Sequence, residues 1–560
     1  MTVAPSAVPV RPAFWFRVAA SVQTRSLARP FVCLAVVPFA LLPLVSRTPL
    51  LGLSAAAAIV AISGGLTAII QARARAGRFD LFEPVVFIPA YMLVVFGLAT
   101  LPFILPLQPP SASLVFPFWV NGLQPSTLAE TELLGAAATL LFMGFYLVAA
   151  ARFPLGVRLP GAFLSERRLS VRRLMLAFSL GLIAKLYLIK TGHIVGIGNA
   201  FIPTSTGYLE WIQLASQTTL YAMALLAVYL LQTRPKERML WYALWAALAV
   251  NVALGAAYGS KQILLEGLEV LIIAWWYSRR RFPPQLLAGL IFLGLVAFII
   301  IPSYRQYVGQ SAATGSADPV TAFRSAVGSS LFRASIPDLL GTDVWTIERR
   351  FALSPDVALA IQYTPAPGNP YLGGRDYIWA LPDTFIPRAI WPDKPAPLNG
   401  LYFSTHYFGL PPSTSSSSSM TWMGDLYINF GLLGVFLGMG AIGMLLAWWY
   451  GAFQRNFSMQ TIVIYAAAVP VIMNFEPTVP AVITSLMRDL IILALMTWLI
   501  FPPLPSKSTA ARRGGFPKAW GSRLPASIAL EEGPSTTTQR PRWPRPTPLT
   551  ARTDSGGDSE

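Results

Sequence analysis

The run PYLGGRDYIWALPDTFIPRAIWPDKPAPLNG, residues 370–400, is the densest part of a polar segment from Ser303 to Thr421 that separates two strongly apolar stretches. Elsewhere in the chain the apolar runs are joined by short connectors. A connection of roughly 120 residues far exceeds the length of about 15 above which a connection is usually functional or disordered. Tyr371, Tyr377, Trp379, Phe385 and Trp391 stand here among paired charges, which is not the composition of a disordered linker. The segment reads as the working part of the protein.

On either side the chain reads as membrane. Hydrophobic residues make up 54% and charged residues 12%, with a mean hydropathy of +0.55; a soluble protein carries about 25% charged residues. The first apolar run is 31–45, followed by 49–71, 81–103, 132–151, 173–190, 208–231, 239–257, 262–278 and 285–302. After the loop come 424–450, 460–474 and 483–502. Each is near the length needed to cross a hydrocarbon core of about 30 Å, which predicts an all-α polytopic membrane protein with about 12 transmembrane helices. A barrel would show alternating segments of about ten residues, and these runs do not alternate. Residues 1–30 form a short N-terminal segment, 31–302 carry the first nine spans, 303–423 the loop, 424–504 the last three spans, and 505–560 a Pro-, Ser- and Thr-rich tail predicted to be disordered.

The charges orient the chain. Arg11, Arg17, Arg25 and Arg29 precede the first run, which has no A-x-A cleavage pattern after it and reads as a retained span. Arg73, Arg75 and Arg78, then Arg152 to Arg173, Arg234 to Arg238 and Arg279-Arg280-Arg281 mark cytoplasmic connectors. The alternate connectors hold only Arg47, Lys190 and Lys261, so the loop falls on the non-cytoplasmic face and both termini on the cytoplasmic one. The net charge of +17 is thereby accounted for without nucleic acid. The single cysteine, Cys33, permits no intrachain disulfide.

Within the loop, Asp318-Pro319 and Ser354-Pro355-Asp356 look like helix starts, and Val344, Ile347 and Phe351 share one helical face. After Pro365 the Gly and Pro density predicts irregular chain. Arg375, Arg388 and Lys394 lie among Asp376, Asp383 and Asp393, a pattern that suits either surface ion pairs or the gripping of phosphate, for which Arg has a bidentate fork. Lys261 and Arg305 sit at the same membrane boundary, where snorkelling also explains them. Glu266, Glu269, Arg488 and Asp489 lie inside spans, where a charge costs about 2.5–3.5 kcal/mol on insertion scales and faces a polar cavity or a counter-ion. Asp425 opens the tenth span and suits either a helix cap or a base. His406 is the loop's only histidine. No P-loop, nucleophile elbow or Cys/His cluster occurs, so neither a cofactor nor a metal site is implied.

IPRAIWPDKP at 386–395, preceded by YLGGRDYIWALP at 371–382, resembles the periplasmic loop of O-antigen polymerases of the Wzy type, the oligosaccharide repeat unit polymerases. GDLYINFGLLGVFLGMGAIG at 424–443 resembles the span after that loop. GSKQILLEGL at 259–268 resembles a third stretch, with Lys261 where the family usually has Arg. The resemblance implies a GT-C-like transferase of the bacterial inner membrane. It would move a glycan from undecaprenyl pyrophosphate to a second undecaprenyl-pyrophosphate-linked repeat unit, with membrane lipid around it and a chain-length regulator as a possible partner. It further implies Arg305, Arg388, Lys394, Lys261 and Arg488 as pyrophosphate-binding residues. Asp425, Asp383, Asp376 and His406 would then be the candidates for the general base. An O-antigen ligase shares the architecture, but SSSSSMTWMG before the tenth span lacks the histidine of resembling ligases. A lipid-linked oligosaccharide flippase could have as many spans, without so large a loop.

The charge alternation predicts that reporter fusions at Ser335 and Asn399 are non-cytoplasmic and those at Arg280 and Ala510 cytoplasmic. A cytoplasmic signal at Asn399 would invert the topology.

Overall fold

The computed structural model describes residues 49–101, 122–152, 170–191, 207–233, 238–257, 259, 261–313, 323–326, 328, 351, 353–386, 390–391, 400–409 and 419–500. The chain divides into Met1–Leu504 and Pro505–Glu560, and every described residue lies in the first unit. These residues are almost wholly helical, with one isolated bridge, Ala366 to Asn369, as the only β pairing among them. In a bilayer every backbone polar group needs an internal partner, which a helix supplies within one segment.

The helices are α1 (Pro49–Arg75), α2 (Pro84–Val95), α3 (Pro125–Arg152), α4 (Val171–Lys190), α5 (Gly207–Ser216), α6 (Thr218–Thr233), α7 (Arg238–Ala257), α8 (Lys261–Arg279) and α9 (Pro284–Ala313). They continue with α10 (Ser354–Tyr363), α11 (Arg375–Phe385), α12 (Gly400–His406), α13 (Thr421–Arg455), α14 (Met459–Met473) and α15 (Val479–Ile500). Six described helices are long and apolar enough to cross a membrane, and three shorter ones are apolar. An all-α membrane protein is what the apolar runs predicted; most described runs agree with a helix to within a few residues, while 208–231 is split into α5 and α6, 81–103 gives a helix ending at Val95, and 285–302 one that runs on to Ala313. The run 31–45 lies outside the described residues.

Two packed groups make up the bundle. Leu220 to Leu231 of α6 are buried on nearly every side, and α4, α7, α8, α14 and α15 surround them; a helix apolar all round belongs at a centre. In the second group α13 lies along α3, which also holds α1 and α2. A Cβ at Gly443 would come 2.6 Å from the Phe142 carbonyl, so glycine is what lets these backbones meet. Leu176, Leu180, Ile183 and Leu186 on α4, and Leu432, Leu433 and Leu437 on α13, are exposed. Large apolar side chains on the outside of a bundle are what lipid solvates.

The α1–α2 connector ties the groups together. Asp80 Oδ1 accepts from Trp276 Nε1 (2.9 Å) and from the Phe82 amide (3.1 Å), and Oδ2 accepts from the hydroxyls of Tyr277 and Tyr450 (2.8 Å each). Glu83 accepts from Arg73 at 2.6 Å, and Tyr465 donates to the Phe82 carbonyl at 2.6 Å. A carboxylate with four donors has its lone pairs filled, so its burial is tolerated.

The loop departs from expectation in three places. Helix α9 runs on to Ala313, so Arg305 belongs to the helix rather than following it. Ser354 lies inside α10, with Leu353 at the cap position and no side-chain cap bond. The chain after Pro365, expected to be irregular, forms α11 and α12. Tertiary packing overrides the local Gly and Pro signal there: α11 lies on α15, and Phe403 of α12 and Tyr407 just after it are buried. The segments around Asp318 and Val344 lie outside the described residues.

Replacing Asp80 with Ala would strand three buried side-chain donors, at about 1–3 kcal/mol each. The expected outcome is a large drop in unfolding temperature of the detergent-purified protein, with Asp80→Asn intermediate. An unchanged transition for Asp80→Ala would remove the connector from its anchoring role.

Candidate functional site

Where the loop meets the bundle, the backbone of α13 breaks. Gly431 adopts φ +67°, ψ −159°, a left-handed φ that favours glycine. Beside this break the carbonyls of Ile428 and Asn429 accept from the amides of Leu372 (3.0 Å) and Gly373 (3.1 Å). Gly373 and Gly374, also at positive φ, then turn the chain into α11. The YLGG and NFG stretches are thus two halves of one joint.

Asp425 is fully buried at its centre. Its Oδ2 accepts from the Tyr377 hydroxyl (2.6 Å) and from the Val479 amide (3.0 Å), the first residue of α15. Its Oδ1 accepts from Asn429 Nδ2 (3.1 Å), and Asn429 Oδ1 in turn accepts from the Gly374 amide (3.1 Å). A carboxylate at a helix N-terminus fills an orphan donor and meets the positive end of the dipole. Asp425 does cap a helix, but the capped helix is α15 rather than its own. Burial, reinforced by the nearby Asp425 carboxylate, pushes the Tyr377 phenol up and keeps it a donor.

Beneath α11 lies a cavity of about 570 Å³, within the range of about 300–1,000 Å³ typical of small-ligand sites. Trp211, Ile263, Val471, Val482 and Ile491 give it apolar walls, Phe385 and Ile386 close one side, and Glu266, Arg488 and Asp489 bring charge to it. Asp489 lies close to Tyr221 and beside Arg488. Glu266 is close enough to Asp489 to be repelled by it and to Lys185 to be attracted. Lys185 itself is buried and donates to Asn251 Oδ1 at 2.9 Å, which also accepts from Thr219. The charges therefore form one cluster across α4, α8 and α15. An arginine beside two carboxylates in an apolar recess can hold an anionic group and accept a proton next to it.

The other sequence candidates are dispersed. Lys261 is the first residue of α8, next to Gln262 on the cavity wall. Asp376 is half-buried in the first turn of α11, close to Tyr377 and Asp425. His406 is exposed at the end of α12, its ring stacked on Tyr402 at 3.9 Å and its Nδ1 2.9 Å from the Tyr402 carbonyl oxygen. Arg305 belongs to α9 and Asp383 to α11, while Arg388 and Lys394 lie outside the described residues. Sequence reasoning missed Lys185, whose short apolar flanks gave no sign of a partner on another helix. It also missed Glu132 on α3, which is buried with both oxygens lacking a well-formed hydrogen bond, although the Ser354 hydroxyl lies nearby. Among the described residues no three His, Cys, Asp or Glu side chains gather as a metal-ligand group.

The fold and this cavity define a helical membrane protein with a charged recess beneath the joint between α11 and α13. The family model described as Domain of unknown function (DUF8712) matches residues 182–500, more than half of the chain, and the chain belongs to that family. No curated protein and no solved structure matches it.

Asp425→Ala would leave the Val479 amide and the Tyr377 hydroxyl without an acceptor, at about 1–3 kcal/mol each. Asp425→Asn would keep those two bonds and set its amide against that of Asn429, for a smaller loss. Thermal unfolding in detergent checks the order; a wild-type transition for Asp425→Ala would overturn the capping role.

Proposed function

We propose that the chain is a lipid-linked glycosyltransferase of the bacterial inner membrane, polymerising undecaprenyl-pyrophosphate-linked repeat units into a surface polysaccharide. The observation that carries this reading is the cavity that joins apolar walls to Arg488, Glu266 and Asp489. The resemblance of 371–395 and 424–443 to repeat unit polymerases points the same way. A ligase or a flippase is the alternative.

In the reaction the acceptor sugar hydroxyl attacks the anomeric carbon of the donor glycan. The bond from that carbon to the pyrophosphate oxygen breaks, undecaprenyl pyrophosphate leaves with the electron pair, and the hydroxyl proton passes to a carboxylate. Arg488 faces the developing charge, with Lys261 at the start of α8, Arg305 within α9, and Arg388 and Lys394 supplied by the loop. Of the acids, Glu266 and Asp489 share the cavity with Arg488, whereas Asp425 is sealed and already accepts three hydrogen bonds. The proton acceptor is therefore assigned to the Glu266–Asp489 pair, and Asp425 to positioning α11 and α15. No divalent ion is invoked, because the cations offset the pyrophosphate charge.

The test is the full chain in proteoliposomes with undecaprenyl-pyrophosphate-linked repeat units and excess EDTA, read as a ladder of polymer lengths. Arg488→Ala is expected to lower the rate about 100- to 1000-fold, and Arg488→Lys to recover part of it, lacking the planar fork. Polymer that stops with EDTA and returns with magnesium would overturn the metal-independent step. Repeat units trapped on the cytoplasmic face of a deletion strain would replace the transferase reading with a flippase.

A further inference from the structure

Helix α11 presents apolar side chains on both of its sides. One side is accounted for: Tyr377 reaches Asp425, and Ala380 is buried, its carbonyl accepting from Thr484 of α15 at 3.3 Å. On the other side Ile378 is 71% exposed and Phe385 59% exposed, with Trp379 between them. Ile378 and Phe385 are seven residues apart and so lie along one stripe. Trp379 packs edge-on against Trp391 at 5.4 Å, and Ile390 beside it is also exposed. Of its charged residues, Arg375 and Asp376 stand in the first turn and Asp383 in the last.

The depth of this helix follows from α15. Thr484 lies five residues beyond Val479, about 7.5 Å down the axis, and Arg488 nine residues beyond it, about 13.5 Å down. Ala380 touches the first of these levels, and Phe385 and Ile386 share a cavity with the second. Val479–Thr497 is itself a candidate span, so α11 descends beside a membrane-crossing helix. From the bundle-facing side of α11, Tyr377 packs on Phe430 at 5.4 Å, so the helix lies beside the exposed Phe430, Leu432 and Leu433 of α13.

We infer that α11 is a non-spanning helix immersed in one leaflet, its Ile378–Phe385 stripe solvated by acyl chains, and that the cavity behind it is entered from the bilayer. Water would leave that stripe as a contiguous apolar patch beside lipid-facing helices, an arrangement that soluble surfaces avoid. The single turn carrying Phe385 and Ile386 then separates the leaflet from Arg488. The ligand class that suits such an entry is a long-chain lipid with an anionic head group: the chain remains among the apolar walls while the head group reaches Arg488. The inference stands whether or not the protein is a glycosyltransferase.

The experiment uses the full chain with Cys33 replaced by Ser, reconstituted into phosphatidylcholine–phosphatidylglycerol vesicles. Spin labels are placed singly at Arg375, Ile378 and Phe385. Labels at Ile378 and Phe385 are expected to collide with oxygen at least several-fold more than with a water-soluble nickel chelate, and the label at Arg375 to do the reverse. Nickel accessibility at Ile378 and Phe385 would overturn the inference, and so would labels shielded from both reagents. For the entry route, Ser485→Cys on the cavity wall is exposed to a maleimide tethered to lipid or to a membrane-impermeant sulfonate thiol reagent applied on both faces. Labelling by the tethered reagent alone is the expected result. Faster labelling by the sulfonate, or none by the tethered reagent, would show a cavity open to water or closed to lipid. Either would overturn bilayer entry.

Discussion

One buried carboxylate holds α11 to the bundle. Asp425 takes donors from α11, α13 and the N-terminus of α15 at once, through Tyr377, Asn429 and Val479. Removing a charge from water is costly unless its lone pairs are filled, and here the filling groups come from three separate elements. Fixing Asp425 therefore fixes where α11 lies, and α11 supplies Phe385 and Ile386 to the cavity. The break at Gly431 is part of the same device, because it stands where helix carbonyls bond the incoming strand-like Leu372 and Gly373.

Two other groups of buried charge are handled in different ways. Asp80 is satisfied by neutral donors, three of them aromatic, and acts as a fastening between helices. Glu266, Asp489, Arg488 and Lys185 instead answer one another's charge around a recess. A fastening fills every lone pair with protein groups. The cavity cluster instead lines open space, and that difference separates it from the two anchoring carboxylates.

Assigning the proton acceptor to the cavity pair places chemistry among the spans rather than on the loop. The loop's part in that reading is to position and to enclose. It also accounts for the apolar and aromatic residues in 371–391 that pack on the bundle or stand exposed beside it, as Tyr377 and Ile378 do.

Much of the fold was legible in the sequence because the bilayer imposes a simple constraint. A run of about 20 apolar residues must satisfy its own backbone, so length and hydropathy alone mark the helices, as 239–257 and 424–450 did against Arg238–Ala257 and Thr421–Arg455. Arg488, Asp489 and Glu266 announced themselves too, since a charge inside such a run requires a partner. The partners themselves lay out of reach. Tyr377 and Asp425 are 48 residues apart, and Asp80 and Tyr450 are 370 apart; no local pattern encodes contacts between helices so distant along the chain. The α11 helix was hidden for the same reason, its Gly- and Pro-rich neighbourhood suggesting irregular chain. Sequence determined which segments form long apolar helices. Tertiary packing decided which carboxylates are fastened shut and which face a cavity, because that depends on donors arriving from other helices.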